Sequence, residues 1–555
     1  MSAKEPEQMN DDASHAHDDH AHEDGRDNYV AAYEAPSGET DMPPTPEYGY
    51  WRSLRELDES TPRSMNEFPA APSVSDPMHR RNFFQLMGAS MALAGVATGC
   101  RYEKEEIVPL ARRPEDQVPG ATQQYATTFE LGGVGQALLA TAFEGRPIKL
   151  DGNPEHPFAA GPIVTGTERH AGASTFAQAS ILNMYDPDRS QSVSQAGQGG
   201  SMDSFRAALA NIRAGLAGGR ILSEATSSPT VASLKRRLLA QHPGLQWVEY
   251  EPLSWDNERA GTRAAFGRPL RSMAHLDRAE TIVTIDCDLF VEHPAAAAYN
   301  RDFARSRRTD GSLGIGKMNR LWAVESTFSH TGAMADHRLA VRSEHGLAIA
   351  MAIDAALGGG AGTPAAEVLR EQKVDTFLKV LIEELQQNKG RAVVLAGRRQ
   401  PPEVHALVAR INNALGAIGT TVDYLEDPDP TRQLRHVDAI KQLATEMKGG
   451  AVKTLVILGG NPVYDAPADL DFAGALANVQ TSVHLCDYMN ETSLKTSWHV
   501  PRAHFLEAWG DSRTWDGTIS ITQPVIAPLY GGLSSIELLS MLLGEERSGD
   551  ELIRT

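Results

Sequence analysis

The chain has 555 residues, 41% hydrophobic and 22% charged, with a formal net charge of −20 that argues against nucleic acid as a partner because no basic surplus exists to neutralise phosphates. At roughly one domain per 150 residues the length predicts about three or four units, and no apolar run reaches the roughly 18 residues of a spanning helix. Three cysteines, Cys100, Cys287 and Cys486, stand far apart and outside any CxxC pair, so the chain cannot by itself hold a thiolate-ligated four-iron cluster.

Residues 1–77 are polar, acidic and rich in Pro and Ser, the composition of a disordered leader. His15, His17, His20 and His22 sit among Asp and Glu there; a solvated tail is expected and no metal is assigned. Residues 78–100 carry Arg80, Arg81, Phe83 and Phe84 followed by an uncharged small-and-apolar run, the pattern read by a twin-arginine exporter, although it lies far into the chain for a signal. Cys100 closes that run behind Ala97-Thr98-Gly99. It is a candidate for lipidation, the alternative being a free cysteine after an uncleaved signal.

Residues 101–195 read as a small β-rich module. Tyr125–Glu130 and Ala142–Asp151 are strand-like, with turns at Gly145-Arg146-Pro147 and Asp151-Gly152-Asn153-Pro154, and a helix runs from Ser174 to Met184 until Pro187 stops it. From 196 to 555 strands and helices alternate. Strands are predicted at 220–225, 245–250, 281–286, 321–325, 392–396, 454–458 and 482–486, and helices at 205–216, 231–240, 344–357, 374–388, 402–416 and 431–447. This alternation means βαβ units and parallel sheets, two of them because one would need too many strands. Ligands in such folds sit at the carboxyl ends of strands, which directs attention to the loops after Asp286, Glu325, Gly397 and Gly460. Cys287 and Cys486 each end a strand-like run and are expected to be buried structural thiols.

The stretch Glu144-Gly145-Arg146-Pro147-Ile148-Lys149-Leu150-Asp151-Gly152-Asn153-Pro154-Glu155-His156-Pro157 resembles the N-terminal module of molybdopterin oxidoreductases. The resemblance continues in Tyr185–Arg189, Leu458-Gly459-Gly460-Asn461-Pro462, Phe505–Gly510 and Gly517–Pro524, and spans most of residues 120–545. It implies an α/β fold of a small N-terminal β module plus two doubly wound parallel-sheet modules, with Gly459, Gly460 and Asn461 as the loop that lies against the pterin nucleotide. The departures imply a lost site. No cysteine run precedes the hairpin, Ser174 stands where the last cluster cysteine would fall, and only Ser254 or Asp256 could replace the metal ligand.

The long leader with Tyr50-Trp51-Arg52, the late Arg80-Arg81, Asp286–Phe290 with His293-Pro294, and Val324–Leu339 resemble the molybdopterin-oxidoreductase-like iron–sulfur subunit of alternative complex III, a quinol-oxidising respiratory complex. That resemblance implies a cofactor-free scaffold with no catalytic residues and no metal in this chain. It further implies iron–sulfur clusters in a C-terminal domain beyond Thr555, in a fragment or a split gene. Its partners would be a quinol-binding membrane subunit and multihaem cytochrome c subunits at the periplasmic face of the cytoplasmic membrane, with the chain held there by a lipid anchor or by those partners. The alternatives are a catalytic subunit holding molybdopterin guanine dinucleotide, and an exported, lipid-anchored assembly protein. Ser329, His330, Asp336, His337 and Arg338 cluster in sequence after a strand, either as an acid–base or metal constellation or, the preferred reading, as groups that satisfy one another.

Overall fold

A computed structural model describes residues 118, 120–161, 170–307, 318–360 and 366–555. The leader, the twin-arginine residues Arg80, Arg81, Phe83 and Phe84, and Cys100 lie outside the described residues.

The chain enters through an antiparallel meander of β1 (Gln123–Leu131), β2 (Val134–Phe143) and β3 (Arg146–Gly152), in the order β1-β2-β3. Leu131 pairs with Val134 across Gly132-Gly133, both at positive φ, as a two-residue hairpin turn between right-twisted strands requires. The second turn is centred on Glu144-Gly145. Arg146 and Pro147, expected in that turn, instead open β3, an edge strand where proline costs no interior ladder bond. A helix at Thr175–Tyr185 follows, and its apolar or small side at Ala177, Ser180 and Met184 is buried.

β4 (Ser194–Gln195) and β5 (Gln198–Gly199) form a short hairpin at one edge of the larger sheet, after which β6 (Arg220–Ser223) and β7 (Gln246–Glu249) begin its parallel part. The chain then builds a second module. It contains β8 (Leu270–Ala274), β9 (Thr281–Ile285), β10 (Arg320–Glu325), β11 (His337–Ala340), β12 (Ala392–Ala396) and β13 (Val422–Glu426). Four of these make a parallel sheet in the order β11-β10-β9-β12, while β8 and β13 pair antiparallel apart from it.

β14 (Thr454–Leu458), β15 (Thr481–Cys486) and β16 (Trp498–Pro501) return to the larger sheet and complete the order β5-β4-β16-β15-β14-β6-β7. Alternation along the strands divides its core. Val456 and Leu458 pack with helices 202–214, 229–241 and 535–543, whereas Leu455 and Ile457 pack with helix 436–448. The last hairpin, β17 (Gly510–Arg513) and β18 (Ile519–Thr522), ties back to the entry meander through Thr128 Oγ1 to Ile521 O at 3.2 Å and Thr522 Oγ1 to Thr128 O at 3.1 Å.

Most predicted elements lie within a few residues of their expected places; one is displaced, and several described elements were not predicted, among them Ala296–Arg305, His337–Ala340, Val422–Glu426 and Trp498–Pro501. The helix expected from 431 starts at His436, because the preceding loop is held by side-chain ion pairs: Asp427 with Arg259, Asp429 with Lys235 and Arg432 with Asp256. The stretch 256–274, read without elements, holds a helix at Asp256–Phe266 and strand β8.

One buried ion pair joins two of the segments that carried the sequence resemblance. Arg189 Nη1 and Nη2 donate to Glu507 Oε1 and Oε2 at 3.2 and 2.8 Å, with both side chains almost fully buried. Glu507 also accepts from the backbone N–H of His504 and of Leu529. Breaking one member leaves an uncompensated buried charge, so Glu507→Ala should lower unfolding stability by about 3–5 kcal/mol, read as a shifted denaturant midpoint; a change within error would remove this pair from the account.

Candidate functional site

In an open parallel sheet the ligand crevice lies beyond the carboxyl ends of the strands, where the strand order reverses. In the larger sheet that point lies between β6 and β14, since β7 extends one way and β15 and β16 the other. Four strand ends deliver residues there: Glu224 after β6, Gly459-Gly460-Asn461 after β14, Asp487 after β15 and Arg502 after β16.

Arg502 donates through Nη1 to Glu224 Oε2 at 2.8 Å, through Nη2 to Asp487 Oδ2 at 2.7 Å and through Nε to both Asp487 oxygens at 3.2 Å. Burial opposes the guanidinium charge, but Asp487 and Glu224 outweigh it and hold Arg502 protonated. Burial likewise opposes ionisation of Asp487, and Arg502 nevertheless keeps it below the usual carboxylate range. The bridge passes directly over Gly459, where an added Cβ would stand 1.9 Å from Glu224 Oε2 and 2.4 Å from Arg502 Nη1.

The rest of the glycine loop is equally engaged. Gly460 O accepts from Asn490 Nδ2 at 3.3 Å and lies 3.2 Å from His484 Nε2. Asn461 Oδ1 accepts from Thr492 N and Oγ1 at 3.2 and 2.8 Å, and its Nδ2 donates to Glu491 at 2.6 Å. Glu224, Glu251 and Asp465 line a pocket of about 110 Å³ with Gly459 and Gly460. On the other side of Glu224 lies a cleft of about 420 Å³, lined among others by Thr128, Glu130, Arg502, His504 and Asp511.

A pterin nucleotide brings a diphosphate, which needs open backbone N–H groups or unpaired cations. Here Arg502 is ion-paired with two carboxylates, the space directly above Gly459 is taken by Glu224 and Arg502, and further carboxylates flank the loop. The residues present do not fit that group.

The other sequence-predicted residues find separate partners. Ser174 caps the helix at Thr175–Tyr185, its Oγ accepting from Ala177 N at 3.1 Å. Asp256 accepts from Arg432 Nη2 at 2.6 Å and from His436 N at 2.7 Å, and Ser254 Oγ accepts from Asp256 N at 3.4 Å. Cys287 and Cys486 are buried; burial raises both thiols, that of Cys486 to about 11. Burial thus favours the neutral thiol in both.

In the smaller sheet the order reverses between β9 and β12. That point is closed by Asp286, whose carboxylate accepts from Ser326, Ser343 and Gln400, while a Cβ on Gly397 would lie 1.7 Å from Asp286 O. Of the cluster after β10, Ser329 and Arg338 both bond Glu325, at 2.6 and 2.5 Å. Asp336 turns to Arg307, and His337 stacks on Trp322 with ring centroids 3.9 Å apart. The structure does not bring these residues to one point. Sequence reasoning missed Glu224, Asp487 and Arg502; a signal existed for Asp487, directly after the strand predicted at 482–486, whereas Glu224 fell inside the strand predicted at 220–225 and no strand was predicted before Arg502.

Buried titratable groups around these sites fix a pH response. Burial raises Glu130, Glu249 and Glu258 to about 7 and Glu251 to about 8, the last also through Glu224. Their stabilising protonated forms are fully present below the unfolded value of 4.5 and are lost as pH climbs through 7 to 8. Burial lowers His293 and His484 to about 3 and His405, His499 and His504 to about 4, so their contribution holds above 6.5 and is lost on acidification. The denaturant midpoint should therefore fall between pH 6.5 and about pH 8.5, and Glu251→Gln should flatten that fall; a midpoint that rises over this range would contradict the assignment.

No protein-family model and no curated protein sequence matches the chain. Among solved structures it is similar to acetylene hydratase from Pelobacter acetylenicus, at 12% identity and a TM-score of 0.54, over 76% of this chain and 69% of that one. The chain has a molybdopterin-oxidoreductase-like α/β fold, as the sequence motifs implied.

Proposed function

We propose that this chain is the cofactor-free, molybdopterin-oxidoreductase-like scaffold part of a respiratory quinol-oxidising complex of the alternative complex III type. The observation that supports the reading is the Glu224–Arg502–Asp487 bridge, which sets paired side chains directly over Gly459, in the loop that the resemblance gives to a pterin nucleotide. The arrangement of the smaller sheet supports it, because the strand-end polar groups there also pair with one another.

In this reading the chain's work is structural. Electrons pass through iron–sulfur clusters and haems outside residues 120–555, while the α/β body supplies a rigid surface for the subunits that carry them. The leader motif at Arg80-Arg81 with Phe83 and Phe84 supports export in the folded state by the twin-arginine route. Cys100, or contact with the partners, would hold the body at the periplasmic face of the membrane.

The test is affinity purification of the tagged full-length chain from native membranes in mild detergent. It should bring down a multihaem cytochrome c and a quinol-binding membrane subunit, with quinol oxidation in the assembly and none in the isolated chain. Recovery of the chain alone, without haem protein, would overturn the assignment to such a complex and favour the assembly-protein reading.

A further inference from the structure

Glu224 occupies a particular position: it lines both the 110 Å³ pocket at Gly459-Gly460 and the 420 Å³ cleft that holds Arg502, Asp487 and His504. Its carboxylate accepts from Arg502 Nη1, which lines the cleft and lies beside Gly459, where an added Cβ would stand 2.4 Å from it. Both glycines have positive φ, and the Gly459 backbone approaches that pair more closely than any side chain would allow.

We propose that the Gly459–Gly460 crevice is a latent diphosphate site closed from within by Glu224, whose carboxylate sits on Arg502 where a phosphate oxygen would bind. The proposal rests on the cofactor-free reading and adds its cause. A guanidinium presents its donors in a fixed fork, so a carboxylate and a phosphate compete for the same edge. Asp487 takes one edge through Nε and Nη2; Glu224 takes the remaining Nη1. Glu251 is the other carboxylate lining both spaces, and burial raises it to about 8, so it is mainly neutral near neutral pH. Glu224 is thus the second carboxylate that neutralises Arg502, and removing its charge leaves Arg502 paired with Asp487 alone and its Nη1 available to an anion beside Gly459.

The experiment is calorimetric titration of the full-length native chain, Glu224→Gln and Glu224→Gln/Arg502→Gln with inorganic phosphate, inorganic pyrophosphate and GDP. Glu224→Gln should bind pyrophosphate at least about tenfold more tightly than the native chain, roughly a 1.4 kcal/mol gain, and the double variant should lose the gain. GDP binding as tightly as pyrophosphate, with phosphate weaker, marks a nucleotide-type site; pyrophosphate alone marks an inorganic one. Circular dichroism and a melting curve establish that each variant is folded. If Glu224→Gln does not fold, Glu224→Asp draws the charge back by one methylene and should give a smaller gain of the same sign. Equal binding by native and variant chains, or none by either, would overturn the plug. Neither result would touch partner association, which tests the scaffold reading separately.

Discussion

A single guanidinium holds the carboxyl edge of the seven-stranded sheet together. Arg502 leaves the end of β16, crosses the ends of β15 and β14 and meets Glu224 at the end of β6, with Asp487 bracing it on the way. Taking a charge out of water costs several kcal/mol, which is recovered only with full hydrogen bonding and good geometry. The two carboxylates meet Nε, Nη1 and Nη2, and water still reaches the bridge, with Arg502 26% and Glu224 43% exposed, which lowers that cost. The crossing also dictates Gly459, since any Cβ there would collide with both members of the bridge and the backbone is at φ 76°. One ion triad therefore explains the glycine, the closure of the crevice and the poor match to an anionic ligand.

The same logic recurs at the reversal point of the smaller sheet. Asp286, in the left-handed region at φ 50°, turns its carboxylate onto Ser326, Ser343 and Gln400, and Gly397 lies against its carbonyl. Open α/β sheets concentrate polar groups at these points for ligands. Here the groups serve one another.

The parallel strands were legible because they read as short, continuous apolar runs. Thr454–Leu458 and Ala392–Ala396 occur where the pattern placed them, since strands covered on both faces keep no polar alternation. The helix at Asp256–Phe266 was not legible. It is polar, has no side-chain cap and contains Gly261, yet it forms because its backbone packs against the helix at Pro402–Ala414; a Cβ on Gly261 would meet His405 Cβ and Pro402 O at 2.5 Å. Strands β8 and β13 pair although they lie about 150 residues apart, a contact that no local pattern announces. The glycine loop was visible as a motif, but its state was not. Glu224 and Arg502 lie 278 positions apart, and no local pattern announces that they meet.

The central claim is that the crevice at Gly459 is closed by the protein's own Glu224 and Arg502. It is tested most directly by elemental mass spectrometry for molybdenum and tungsten, with pterin fluorescence after oxidation, on the full-length chain purified from its native cells. The account predicts both metals at the level of the buffer blank and no pterin fluorescence. One molybdenum or tungsten per chain, with a matching pterin signal, would contradict it.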